Sequence, residues 1–214
     1  MKILALELSS ARGSIASLDD KKEKFFREWA NDRKNSGPFF EYLVEVQKEC
    51  GKPDTIVVGL GPGSYAGTRI AISAAIGLSF GGTGSVPSGR HGGRPSIHLI
   101  GYPSICAIEC DAADYCVIGD ARRQTFFIAR IRGNNLIEGP TLMTEAELRE
   151  KLDKLDKKMS IFTTEKLSQF ERGELRYPSA KLLARLAADS KRQFTQPPLE
   201  PMYLREPHIT VPKK

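Results

Sequence analysis

Gly59-Leu60-Gly61-Pro62-Gly63-Ser64-Tyr65-Ala66-Gly67-Thr68-Arg69-Ile70 constrains this chain more than any other stretch. It follows the apolar run Thr55-Ile56-Val57-Val58 and opens onto a second run with no acidic residue before Glu109. The pattern predicts a strand, a tight glycine turn and a helix. Glycine accepts positive φ and lets another backbone or a phosphate come close. Pro62 presets one turn dihedral, and Ser64 is placed to accept from the free amides of the helix start. Such a helix start can hold an anion, because its amides and its dipole both point outward. The alternative is a strand-to-helix connection whose glycines serve packing alone, and the spacing leaves both readings open.

Composition narrows the class. At 214 residues the chain can form one large domain or two small ones. Hydrophobic residues make up 40% and charged residues 27%, the balance of a water-soluble globular protein. No uninterrupted apolar run reaches the roughly 18 residues of a membrane span, and Glu7 interrupts the short apolar N-terminal run, unlike a signal peptide. A cytoplasmic location is the expectation. Cys50, Cys106, Cys110 and Cys116 form no CxxC pair, so free, mostly buried thiols are expected. His91, His98 and His208 are scattered, which argues against an intrinsic metal site. The net charge of +6 suits a polyanionic partner such as tRNA, or simply a solvated surface. For Lys151–Lys158, where acids alternate with lysines, the solvated surface is the better reading.

Along the chain, strands are expected at Ile3–Leu8, Gly13–Leu18, Lys24–Trp29, Thr55–Val58 and Ile97–Gly101. Helices are expected at Pro38–Cys50, with Pro38 in the first turn, and at Tyr65–Phe80. Beyond these, Pro103–Cys110 reads as a helix and Tyr115–Gly119 with Thr125–Ile131 as a hairpin. Thr144–Leu155 reads as a helix opened by a Thr144/Glu147 capping box. Ser160–Thr163 reads as a strand and Ser179–Ala188 as a helix. The proline-rich segment from Pro197 is expected to be irregular. Leu6–Ala16 can be laid over Ile118–Ile128: each is an apolar strand, an acid, a small or basic turn and a returning strand. A fold of two related halves would produce such a repeat, with a boundary expected near residues 95 and 96.

The residues from Gly61 to Ile70 resemble the GPGS(F/Y)TGLRIG signature of the bacterial TsaB (YeaZ) family. Ile3-Leu4-Ala5-Leu6-Glu7-Leu8-Ser9-Ser10 is similar to the family opening, Gly119-Asp120-Ala121-Arg122-Arg123 to its DARR segment, and Pro201-Met202-Tyr203-Leu204-Arg205 to its PxYLR ending. The resemblance implies an α/β fold of two related ribonuclease-H-like lobes, as in the actin, Hsp70 and sugar-kinase superfamily, with the lobes spanning 1–95 and 96–214. It implies a scaffold subunit that docks on the TsaD transferase in forming threonylcarbamoyladenosine in tRNA. A TsaE-like ATPase would be a third partner, tRNA would be met through the complex, and self-pairing as a homodimer stays open. No cofactor of its own is expected; ATP and magnesium would enter through the complex. Four departures stand out. Glu7 and Leu8 replace an aspartate and a threonine, and Asn35-Ser36-Gly37 stands near a usual histidine-serine-glutamate. Ala66 and Thr68 alter the signature, and Phe80–Arg94 is too rich in glycine to continue a helix.

The helix at 65–80 is apolar nearly all round, so it must be covered on several sides. On the family reading its outer side and that of the helix at 38–50 meet a sister subunit through Phe39, Phe40, Leu43, Tyr65, Arg69, Ile72, Ala75 and Ile76. The competing reading is a self-contained nucleotide-binding phosphotransferase or ATPase of the same superfold. Glu7, Ser9, Ser10, Gly61, Gly63, Ser64 and Asp120 would then surround phosphate and magnesium. No nucleophile with a base beside it can be singled out, and no catalytic residue is assigned.

Overall fold

Two five-stranded sheets carry the fold, and the same wiring is used twice. The computed structural model describes residues 1–31, 36–80 and 97–205. Asn35, the glycine-rich segment from Gly81 to Arg94 and the residues after Arg205 lie outside the described residues. The first sheet holds β1 (Lys2–Glu7), β2 (Arg12–Asp19), β3 (Lys22–Ala30), β4 (Thr55–Gly59) and β5 (His98–Tyr102) in the order β3-β2-β1-β4-β5. β1, β2 and β3 are antiparallel neighbours, whereas β4 and β5 run parallel to β1. The second holds β6 (Asp114–Asp120), β7 (Thr125–Arg132), β8 (Asn135–Thr144), β9 (Ser160–Thr163) and β10 (Gly173–Leu175) in the order β10-β9-β6-β7-β8. Again three antiparallel strands come first and two parallel ones follow. The faint repeat in the sequence is therefore a repeat of topology, and the α/β fold of two related lobes is present.

Alternation along the strands sets the layers, because successive side chains point to opposite faces. Leu4, Leu6, Ile56 and Val58 point to a layer formed by α1 (Gly37–Cys50) and α2 (Tyr65–Phe80), where they meet Phe39, Leu43, Val46, Ala71, Ile72 and Ala75. Ile3, Ala5, Val57 and Ile100 point the other way. There α4 (Ala180–Ala187) and residues 105–108 fill the space between the two sheets, against Tyr115, Val117, Phe127 and Ala129 of the second. The far face of the second sheet is covered by Leu148 and Leu152 of α3 (Glu145–Lys154). The order of layers is helices, sheet, helix, sheet, helix.

Most expected elements are present within a residue or two. α2 has the bounds read from the sequence, and α3 begins with the expected reciprocal cap between Thr144 and Glu147. Ser179 caps α4 through the Lys181 amide. Ser36 stands at the N-cap of α1, but its side chain makes no capping bond. Pro103–Cys110 is not a helix; only Ser104–Cys106 forms a 3-10 turn. Ile105, Cys106, Ala107 and Ile108 are enclosed on every side, and the Ala107 carbonyl accepts from Ser179 N in place of a continuing helical ladder. β8 and β10 were not anticipated. β8 contains Gly139-Pro140 and lies at an edge, the place where a sheet tolerates proline. β5 belongs to the first sheet, paired with β4. From Pro197 to Arg205 the chain is irregular, as expected, yet it is tied down: Met202 N donates to the Leu60 carbonyl at 2.7 Å, and just before it Thr195 exchanges two backbone hydrogen bonds with Gly101.

Candidate functional site

The GPGS turn is pressed against the end of β1. Ser64 N donates to the Ser9 carbonyl at 2.6 Å, and Gly61 N donates to Ser104 Oγ at 2.9 Å while Ser104 N returns a bond to the Gly61 carbonyl at 2.7 Å. A methyl group on Gly63 would lie 3.0 Å from the Ser9 carbonyl carbon, and nearer still to its oxygen; on Gly67 it would meet the Leu8 carbonyl in the same way. Gly61 has φ +91°, the left-handed region that glycine adopts without cost. Two glycines of the signature thus let the turn and the first turn of α2 rest on the backbone of Leu8 and Ser9, just past β1, and a third makes the bend. Ser64 Oγ accepts from Gly67 N at 3.2 Å, so the helix start is capped by its own serine.

A cleft of about 440 Å3 opens between the lobes beside this turn. Ser9, Ser10, Gly63, Ser64 and Asp120 line it together, so five of the seven residues assigned to a nucleotide site do meet. Gly61 and Glu7 do not line it. Glu7, the last residue of β1, is fully buried; its Oε1 accepts from Ser9 N at 2.7 Å, and its Oε2 has no hydrogen-bond partner among the described residues. Burial pushes its carboxyl pKa up, and the Ser9 amide, with the neighbouring Ser104, pulls the other way by favouring the charged form. Asp120, the last residue of β6, is committed to the turn that follows: Oδ1 accepts from Arg122 N at 2.6 Å and Oδ2 from the Arg122 guanidinium at 2.9 Å.

This donor set does not suit a magnesium-nucleotide. One acid is enclosed, the other is paired, and no group of three His, Cys, Asp or Glu side chains among the described residues is placed to hold a cation. Sequence reasoning did not foresee that Thr164, Glu165 and the segment from Pro201 to Arg205 complete the cleft wall. The PxYLR match was visible, but nothing in the sequence said that it returns over the GPGS turn.

The expected interface residues divide by side. Phe39, Leu43, Ile72 and Ala75 point inward to the first lobe's core, at 0–6% exposure, and are not available to a partner as the structure stands. Phe40, Tyr65, Arg69 and Ile76 are exposed. With them on the outer side of α1 and α2 lie Val44, 50% exposed, and Phe80, 71% exposed. Arg69, the one charged residue of α2, lies over the Tyr65 ring and donates to its hydroxyl, and Tyr203 packs against that ring at 5.3 Å between centroids. Surface apolar residues in a row on adjacent elements are what a protein contact uses.

With this geometry in hand, solved structures sharing it can be recognised. YeaZ from Pseudomonas aeruginosa superposes with a TM-score of 0.68 at 18% identity, over 95% of this chain and 99% of that one. The fold is that of YeaZ. A second Pseudomonas aeruginosa structure, described as an uncharacterized protein with similarity to peptidase YEAZ, superposes with a TM-score of 0.70 at 18% identity, over the same 95% and 99%. No family model matches the sequence, and no curated protein matches it. The YeaZ fold is thus present at 18% sequence identity, and the GPGS, DARR and PxYLR segments sit together around the cleft. Among the described residues no helix is long and apolar enough to cross a membrane.

Proposed function

We propose that the chain is a TsaB-type, non-catalytic partner subunit that docks on a TsaD-like transferase and holds it in its active arrangement for threonylcarbamoylation of tRNA. The single observation that carries this reading is the apolar outer side of α1 and α2, where Phe40, Val44, Tyr65, Ile76 and Phe80 are 37–71% exposed. The YeaZ fold and the signature resemblance support it. So does the use of the motif glycines: they serve close backbone packing that fixes α2 on the sheet, and they leave the outer side of α2 as its available surface. Docking would take place in the cytoplasm, with a TsaE-like ATPase joining the pair and tRNA arriving at the assembly. Any ATP and magnesium would belong to the partners, because Glu7 is enclosed and Asp120 is paired with Arg122.

The test is reconstitution of tRNA threonylcarbamoylation with and without this chain, together with capture of a purified TsaD-like subunit. Activity that needs the chain, and capture lost in Phe40→Asp and Ile76→Asp, are the expected results. Full modification without the chain would refute the proposal.

A further inference from the structure

The turn joining β6 to β7 has a backbone that its residues do not favour. Arg122, Arg123 and Gln124 take φ values of 67°, 53° and 58°, three consecutive left-handed residues without a glycine. Such a conformation crowds Cβ against the next carbonyl, and Gly, Asn or Asp is the usual occupant. Other tight turns of this chain follow that preference at least in part, with Asp20 before β3 and Gly133-Asn134 before β8.

The strained turn is held on all sides. Asp120 takes the Arg122 amide and guanidinium, and its own amide donates to Glu165 Oε1 at 3.0 Å. Ala121 N donates to the Thr125 carbonyl at 2.9 Å, and Thr125 Oγ1 donates to the Arg122 carbonyl at 2.7 Å. From the far end of the described chain, the Arg205 guanidinium donates to Thr125 Oγ1. A strained backbone kept in place by this many contacts points to a use for the side chains it carries.

We propose that this turn grips phosphates of an RNA strand, with Arg123 as the principal contact and Arg122 and Arg205 beside it. Arg123 is exposed and has no hydrogen bond or ion pair among the described residues. Arg122 and Arg205 line the cleft, and Arg205 Nε is buried without a hydrogen-bond partner among the described residues. Guanidinium groups match phosphate oxygens two at a time. The acids nearest them are already used, Asp120 by Arg122 and Glu165 by the Asp120 amide. Phosphodiesters, unlike a nucleotide polyphosphate, need no magnesium ion beside these acids. Tyr203 lines the same cleft and is 43% exposed, offering a ring to an unpaired base. The net charge of +6 draws a polyanion toward the whole surface. The choice of RNA rests on the proposed role in a tRNA-modifying assembly; the grip itself rests on the turn.

The experiment is fluorescence anisotropy of the full chain with a labelled anticodon-type RNA stem-loop, over a salt series, for wild type, Arg123→Asn and Arg123→Gly. Both substitutes tolerate left-handed φ, so the turn stays formed and the thermal midpoint should be unchanged or higher by about 2–4 °C. RNA affinity should fall by about tenfold or more, and the slope of log K against log salt should shrink by about 0.7–1. Unchanged RNA affinity in either variant, or no salt-dependent binding by wild type, overturns the proposal. So does a loss confined to capture of the TsaD-like subunit, which would make Arg123 a protein contact. If wild type binds RNA as described but never captures that subunit, the docking reading fails and the grip stands.

Discussion

Gly63→Ala isolates what the GPGS motif does. Gly63 does not have positive φ, so alanine meets no penalty from backbone conformation. The whole cost comes from contact: the added methyl lies 3.0 Å from the Ser9 carbonyl carbon and 3.1 Å from Ser9 Cβ, with the carbonyl oxygen closer. The neighbour cannot yield freely, because the same carbonyl accepts from Ser64 N at 2.6 Å. Overpacking of this kind costs about 1–3 kcal/mol, and weakening that hydrogen bond adds about 0.5–1.5 kcal/mol. The sum, about 1.5–4.5 kcal/mol, is a large share of the roughly 5–15 kcal/mol that holds a domain folded. Gly77→Ala is the internal control, since no atom of the described residues lies within 4 Å of a Cβ there. In a helix interior alanine is better than glycine by about 1 kcal/mol. Urea unfolding with a common slope should give opposite shifts for the two variants, and calorimetry should show a midpoint lower by about 3–18 °C for the first and higher by about 2–4 °C for the second. If Gly63→Ala unfolds at the wild-type midpoint, the packing argument is wrong, and the glycine is there for something that approaches from outside.

Phe40→Asp and Ile76→Asp should leave the chain folded, with unfolding free energy lowered by about 0.5–2 kcal/mol, and weaken capture of a TsaD-like subunit by about 10–100-fold. Ile72→Asp and Ala75→Arg should instead unfold the chain, as those side chains are 5% and 0% exposed. The Asp114 carboxyl is held down to about 2 by hydrogen bonds from Arg130 and Arg132. The stability it lends is present above the ordinary value of 3.8 and lost as pH falls toward 2, so thermal melts of Asp114→Asn should show a flatter acid limb in that window. Burial pushes the Cys106 thiol up to about 12. Native-state alkylation near pH 8 should miss it until urea is added; stability should fall as pH rises past 9.0, where only the unfolded thiol gives up its proton.

What could be read from the sequence was whatever had a local cause. Thr144 and Glu147 announce α3 because a capping box involves only four residues, and the small-residue run from Tyr65 to Phe80 announces α2 because nothing interrupts it. Pro103–Cys110 misled for the opposite reason. Its apolar pattern suits a helix, but enclosure by both sheets and α4 lets Ala107 pair with Ser179, 72 positions away in the sequence. The interface residues were read as one greasy surface, since periodicity in an all-round apolar helix cannot say which side meets the chain's own sheet. Only the packed structure separates Ile72 and Ala75, facing in, from Ile76 and Arg69, facing out. Glu7 is a similar case. Its type and strand-end position suggested phosphate chemistry, while its enclosure beneath Gly59 and Ser104 depends on distant parts of the chain.

The duplicated wiring makes the differences between the lobes instructive, because one architecture carries two outer surfaces. α3 covers the far side of the second sheet and is finished for water: Arg149 pairs with Glu145 at 2.7 Å and Lys154 with Glu150 at 2.6 Å, four residues apart along its exposed side. α1 and α2 cover the corresponding side of the first sheet, yet α2 carries Arg69 as its only charge and turns Tyr65, Ile76 and Phe80 outward. Since the sheets have the same order, the fold does not require this contrast; a helix covering such a sheet can be polar outside, as α3 is. The apolar strip of Phe40 and Val44 on α1, which runs beside the charged Glu41, Lys48 and Glu49, and of Tyr65, Ile76 and Phe80 on α2 is therefore an addition to the fold, of the kind that a protein contact uses. Phe40→Glu combined with Ile76→Lys carries that logic to its end. It would give α1 and α2 the finish of α3, leaving the chain folded, more soluble, and no longer able to hold its partner. A doubly substituted chain that still captures the TsaD-like subunit with wild-type affinity would show that the apolar strip is not the contact.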